Sequence, residues 1–300
     1  MCEYIQQYST VSTFISSESW VILSPIEQSI KRKIEAVGKP LKDWDINIYR
    51  GVLTGCNEAF IIDEDKRREI LNNCQSEDER KRTEEIIRPI LRGRDIKRYG
   101  YDWAGLYIVY IPWHFPLHLD TTITGASEKA ENAFKISYPA VYRHLEGYKD
   151  ILTKRNQAET GIRYEWYALQ RWGSNYWEDF SKPKIIFQEM VQESQFYYDS
   201  SAEFFCNDTC RIITGEYLPY LLFILNSHLF FYSVKHFYGG GGLGGHGVRM
   251  KHTFFQRFPC LPFDEKIALS IGSNDSPYIE KLLYQRYNLN DEEIQHIFND

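Results

Sequence analysis

Phe237-Tyr238-Gly239-Gly240-Gly241 is the string in this 300-residue chain that looks most like chemistry, because it spells the F-x-G-x-G of an S-adenosylmethionine loop. Such a loop needs a strand before it and a helix after it. Here an apolar helical stretch precedes it and basic sequence follows, so the context does not fit. Asn274-Asp275-Ser276-Pro277-Tyr278 comes near the Asn/Asp-Pro-Pro-Tyr signature of amino-methyltransferases, but it lacks the second proline. It reads better as a serine cap and an N-terminal proline opening an acidic helix. Cys206 and Cys210 lie four apart with no second pair at zinc-finger spacing, so two buried thiols are expected rather than a metal site. Glu64-Asp65-Lys66 and Asp264-Glu265-Lys266 hold the carboxylates and lysine a metal-dependent nuclease uses, yet no upstream acid on a strand accompanies either. Solvated helix faces are the simpler expectation. The chain contains no G-x-x-x-x-G-K-[ST], G-x-S-x-G or H-E-x-x-H. By itself it is expected to bind rather than catalyse, with no metal and no cofactor of its own.

The remaining patterns suit a phosphate backbone. Arg92, Arg94, Lys97 and Arg98 surround Gly93 within seven residues, and Lys154-Arg155 form a second basic pair. All six are assigned to phosphates, which such flexible donors neutralise. Between Lys154 and Lys184 the chain interleaves Arg163, Gln170, Arg171 and Asn175 with Tyr164, Trp166, Tyr167, Trp172, Tyr176 and Trp177. Arginine can pair bidentately with guanine, glutamine or asparagine can pair with adenine, and aromatic rings can stack on bases or wedge between them. About half of these aromatics are expected in the core instead. Lys235, His236, His246, Arg249, Lys251 and His252 bracket the run 239–247, whose seven glycines give it too much freedom to be rigid unless something binds it. Arg163, Gln170, Arg171, Asn175, Arg249 and Lys251 are the base-reading candidates.

Charge is divided along the chain. The net value is −6, which argues against a generally basic nucleic-acid binder. Yet five bases face one acid from Arg88 to Arg98, and four bases face none from Lys235 to Arg257. Acid concentrates in 58–85 and 264–300, so one positive face on an acidic protein is expected. With 43% hydrophobic and 25% charged residues, disordered, collagen-like and fibrous classes are excluded. Six scattered cysteines and no opening signal-peptide pattern suggest a reduced, cytoplasmic protein. The most apolar run, 217–234, is broken by Pro219, Asn226, Ser227 and His228, which predicts a core helix and no membrane span.

Ser24-Pro25-Ile26-Glu27 is a cap, an N-terminal proline and a capping-box glutamate, and Ile26, Ile30 and Ile34 predict a helix up to Gly38. Ile46–Leu53 and Ala59–Ile62 read as strands flanking a turn at 54–57. Charged helix-favouring sequence runs to about Pro89, a strand is predicted over 105–111, and helix over 126–155 with an interruption at Pro139. Short strands are predicted at 184–190, 195–198, 203–206 and 211–214, and an acidic helical tail from Ser276. The expected class is α+β, with small β-sheets and packed helices. The expected segments are a helical lead-in over 1–45, a recognition domain over 46–263 and an acidic tail over 264–300.

Tyr49-Arg50-Gly51-Val52-Leu53-Thr54-Gly55-Cys56-Asn57-Glu58-Ala59-Phe60 and Leu91-Arg92-Gly93-Arg94-Asp95-Ile96-Lys97-Arg98-Tyr99 resemble two blocks of TaqI-like specificity domains, the target-recognition portions of adenine-N6 DNA methyltransferases and type IIG restriction-modification enzymes. Further blocks follow in the family's order: Tyr138-Pro139-Ala140 with Leu152 and Arg155, 166–170, 182–186, Leu225-Asn226-Ser227, 258–262 and 287–293. Phe258-Pro259-Cys260-Leu261-Pro262 departs from the more usual Ile-Pro-Ile-Pro. The resemblance implies a mixed α/β module that grips double-stranded DNA opposite a methyltransferase or methyltransferase-nuclease domain, in cis or in trans. S-adenosylmethionine, with Mg as a further candidate, would belong to that catalytic region. Base-reading residues vary with the target and are not transferred by the resemblance. The alternatives are a protein-interaction module built on the aromatics and a metal-dependent nuclease.

Overall fold

The computed structural model describes residues 23–239, 242–243, 247–271 and 276–299. The Asn274-Asp275 part of the methyltransferase-like string, and Gly240, Gly241 and His246 of the glycine-rich run, lie outside them. The described chain is α+β, as expected, and its described residues group into two compact units that interleave along the sequence: those of 23–46, 189–196 and 215–299, and 47–188 with 197–214.

The second unit holds most of the candidate residues. Its sheets are short because glycines, prolines and charged turns interrupt every apolar run. One places Ile61–Asp63, Leu106–Val109, Ile87–Leu91 and Phe205–Cys206 side by side; Ile87 pairs with Val109 antiparallel, and Phe205 with Ile90 parallel. The other orders Phe196–Asp199, Lys184–Gln188, Cys210–Gly215 and Ile46–Arg50, with Ile212 opposite Ile186. Helices Glu128–Ser137, Pro139–Glu146 and Lys149–Lys154 break at Pro139, as the sequence predicts. They bury Phe134, Val141, Leu145 and Leu152 in one core with Phe60, Ile108, Tyr167 and Phe205. A buried pair braces this unit: Lys184 Nζ lies 2.8 Å from Asp199 Oδ2 and donates to the Phe180 carbonyl, while Asp199 also accepts from the Phe204 amide. Burial pushes the Lys184 ammonium down, against the pull of Asp199.

The first unit is mostly helical. The capping box at Ser24 and Glu27 opens helix Pro25–Val37, whose Ile30 and Ile34 are buried. A second capping box, Asn290 with Glu293, opens helix Asp291–Phe298. Between them, Leu218–Leu225 and His228–Ser233 follow one another, joined by Asn226, whose side chain bonds both the amide and the carbonyl of Phe196. Among the described residues no helix is long and apolar enough to cross a membrane.

Several local expectations change: the strand Ile87–Leu91 begins where helix was expected up to Pro89, and the apolar run 217–234 forms two helices rather than one. Ala59 and Phe60 belong to a helical turn, Asn57–Phe60, rather than a strand, because Thr54 Oγ1 accepts from the Cys56 amide and folds the chain back. In the glycine-rich run, Gly242–Leu243 pairs with Gly247–Val248, and Val248 with Val191. Glycine permits a turn but does not forbid a ladder once a partner strand lies alongside.

Candidate nucleic-acid interface

The expected phosphate and base contacts separate into three groups. The first is the loop 92–98. Arg92 presents its fork to Asp95, with Nε 2.9 Å from Oδ2 and Nη2 2.8 Å from Oδ1, so it shapes the loop rather than reaching out of it. Burial would push the Asp95 carboxyl up, but the Arg92 hydrogen bonds outweigh it and hold the group below the usual carboxylate range. Gly93 is tightly packed: a Cβ there would sit 2.9 Å from the Gln188 side chain, and its amide donates to Thr209 Oγ1. Arg94 is exposed beyond it, and Lys97 and Arg98 are half-buried. Lys97 lies 3.7 Å from Asp102.

The second group is centred on Arg155, and here the sequence expectation is corrected. Arg155 is buried, 8% exposed, and cannot reach a phosphate. Its guanidinium donates to the carbonyls of Thr54, Trp166 and Ala168 and lies over the Phe60 and Tyr164 rings. Burial pushes it down to about 10, which leaves it charged at neutral pH. It fastens the loop 54–57 to the segment 166–168. Gly55 (φ 75°) makes room, since a Cβ would lie 2.6 Å from Gln170 Oε1. Lys154, one residue earlier, is exposed.

The third group brings two base-reading candidates together. Arg163 and Arg171 are 60% and 48% exposed, and each reaches Glu159, at 2.8 and 2.7 Å. Their guanidiniums also lie 5.5 and 5.9 Å from the Trp113 ring, which stacks on Tyr164 at 4.7 Å. Leu53 and Arg171 exchange backbone hydrogen bonds, and Trp113 donates to the Leu169 carbonyl, so both are held by the scaffold. The Arg171 hydrogen bond is the main cause holding the Glu159 carboxyl below the usual range. Gln170 is half-buried beside this group and Asn175 is exposed. Sequence reading missed Glu159 and Trp113; the four-residue spacing from Glu159 to Arg163 was the available signal.

Arg249 and Lys251 lie in the first unit. Arg249 donates to Glu189 at 2.8 Å, and Lys251 is half-buried. Of the interleaved aromatics, Tyr164, Trp166, Tyr167 and Trp172 are buried, while Tyr176 and Trp177 are half-buried. The string 237–241 begins in a π-helical turn, Val234–Tyr238, so what precedes it is a helix and not the strand an S-adenosylmethionine loop requires. Among the described residues no group of His, Cys, Asp or Glu could hold a metal ion. Asp264 caps the Ile267 amide and pairs with Arg286 at 2.6 Å, and Asp65 pairs with Arg68 at 3.1 Å.

The family model of the TaqI-like C-terminal specificity domain matches residues 88–241, about half of the chain, and the protein belongs to that family. The match includes the loop 92–98, Trp113, Arg155, Glu159, Arg163 and Arg171, and excludes Leu53, Arg249 and Lys251. Two solved structures are similar. One is the type IIL restriction-modification enzyme MmeI in complex with DNA, with TM-score 0.49, 12% identity, and coverage of 87% of this chain and 33% of that one. The other is the type IIG restriction endonuclease BpuSI, with TM-score 0.46, 13% identity, and coverage of 85% and 28%. The chain thus spans about a third of the length of these enzymes. No curated protein sequence matches it.

Proposed function

We propose that this chain recognises a specific sequence in double-stranded DNA and so fixes where an adenine-N6 methyltransferase or a restriction-modification catalytic domain acts, in cis or in trans. The observation that carries this reading is the pair Arg163 and Arg171, exposed yet held by Glu159 beside Trp113. An arginine fork pairs with guanine O6 and N7, and one preset by a neighbouring carboxylate loses less freedom on binding. Arg94, Lys97, Arg98 and Lys154 supply phosphate contacts, which set register but not sequence. S-adenosylmethionine and any Mg are held by the catalytic partner. The cytoplasm, where DNA and S-adenosylmethionine are both present, is the assigned compartment.

Selection on a randomised duplex library, at low and near-physiological salt, tests the reading. An asymmetric motif of several base pairs is expected. Arg171→Ala should relax one motif position, costing about 1–3 kcal/mol there and little elsewhere. Failure to enrich any motif, with binding indifferent to salt, would overturn the proposal.

A further inference from the structure

A second surface of the same unit combines exposed rings with cations, and none of the contacts described above uses the rings. Ile96–Lys97 and Gly100–Tyr101 form a two-stranded hairpin. Tyr99 sits in its turn with φ 63°, and Tyr99, Tyr101 and Trp103 are 40%, 38% and 37% exposed. Exposed ring surface that is contiguous, as at Tyr101 and Trp103, marks an interaction site. They are also braced. Tyr101 packs on Tyr197 at 4.7 Å and on Phe204 at 4.8 Å, while Trp103 packs on Tyr107 at 5.4 Å and on Phe204 at 5.9 Å. Trp103 Nε1 donates to the Leu106 carbonyl, which fixes the indole. Phe204 is buried beneath both.

The charge around these rings decides what would bind them. Arg94 is exposed, and Arg98 lies over the Tyr99 ring at 5.7 Å with its Nε buried and unbonded. Two acids lie nearby: Asp102, 3.7 Å from Lys97, and the exposed Glu203 just before Phe204. Rigid rings with arginines alongside are the features by which proteins hold a nucleotide, the ring taking the base and the cation its phosphate. A base inside a duplex has both faces covered by its neighbours, so only an unpaired base offers one.

We propose that Tyr101 and Trp103, braced on Phe204 and with Arg98 on the neighbouring Tyr99 ring, form a stacking platform for an unpaired nucleobase. This rests on the DNA reading above and adds to it a contact that recognises distortion rather than sequence.

The test uses the full chain at low salt and two duplexes of one sequence, each with a single 2-aminopurine, paired with thymine in one and in a one-nucleotide bulge in the other. Wild type is expected to bind the bulged duplex about ten-fold or more tightly and to quench its fluorescence. Trp103→Leu, which keeps apolar packing on Phe204, should remove the preference, and Trp103→Phe should retain most of it. Tyr101→Leu provides an independent second variant, and thermal melting confirms that each variant is folded. Equal binding of the two duplexes by wild type without quenching overturns the platform but leaves the DNA reading intact, and is the result an aromatic patch meant for a protein partner would give. Undiminished selectivity in both leucine variants also overturns it. Binding of neither duplex overturns the DNA reading itself.

Discussion

A guanidinium buried among carbonyls and one standing exposed beside a carboxylate are the same letter in the sequence, and the fold gives them different work. Arg155 ties three carbonyls from two segments, so Arg155→Met leaves those acceptors unsatisfied in a dry site. Urea unfolding should show a loss of about 2–4 kcal/mol. Arg94→Ala should leave the unfolding midpoint unchanged and lower the salt slope of DNA binding by about one. The opposite pattern would return Arg155 to the phosphates. Glu159 provides a pH test. Its folded carboxyl titrates lower than in the unfolded chain, so its contribution is complete above the usual glutamate range and is lost as pH falls through the lowered midpoint. Carboxyl NMR of Glu159 should therefore give a midpoint below that range, moving back up in Arg171→Ala. An unchanged midpoint in the variant would sink the assignment of Arg171 as the main cause.

Among the elements, the caps set where helices begin and also join elements far apart in sequence. Glu293 accepts from the Asn290 amide as a cap, and from Ser29 Oγ and Lys33 Nζ at 2.7 Å each on helix Pro25–Val37. The carboxylate is buried, and its hydrogen bonds outweigh the desolvation that would raise it. Glu293→Ala removes a cap and an interhelix anchor together, and chemical denaturation should register a loss of about 2–3 kcal/mol. Asn290→Gly, which disturbs the cap alone, should cost only a few tenths of a kcal/mol. Equal losses in the two variants would reduce Glu293 to a local cap. Helix Pro25–Val37 was legible because its cap, proline and isoleucine spacing are all local. The turn Asn57–Phe60 was not, because Phe60 is placed by the core it enters rather than by its neighbours in sequence.

At the scale of the molecule, the separation of acid from base is a property of sequence order, but the compact units are not. Residues 23–46 and 215–299 join one unit although 47–188 lie between them, so reading along the chain as a lead-in, a domain and a tail does not show which segments pack together. The candidate interface follows the same logic. Its loops come from 53–57, from Trp113 and from 155–176, and apart from the Glu159–Arg163 pair the contacts that join them are non-local.

The sequence by itself determined the α+β class, the capped and interrupted helices, the basic loop around Gly93 and the family, because each depends on residue types at short, fixed spacings. The tertiary structure alone decided which arginines are buried and which are exposed. It also decided that Arg171 and Trp113 would join the locally spaced pair Glu159 and Arg163, and that Tyr101 and Trp103 would share one buried phenylalanine. Burial and pairing depend on what the rest of the chain brings alongside, and no local pattern records that.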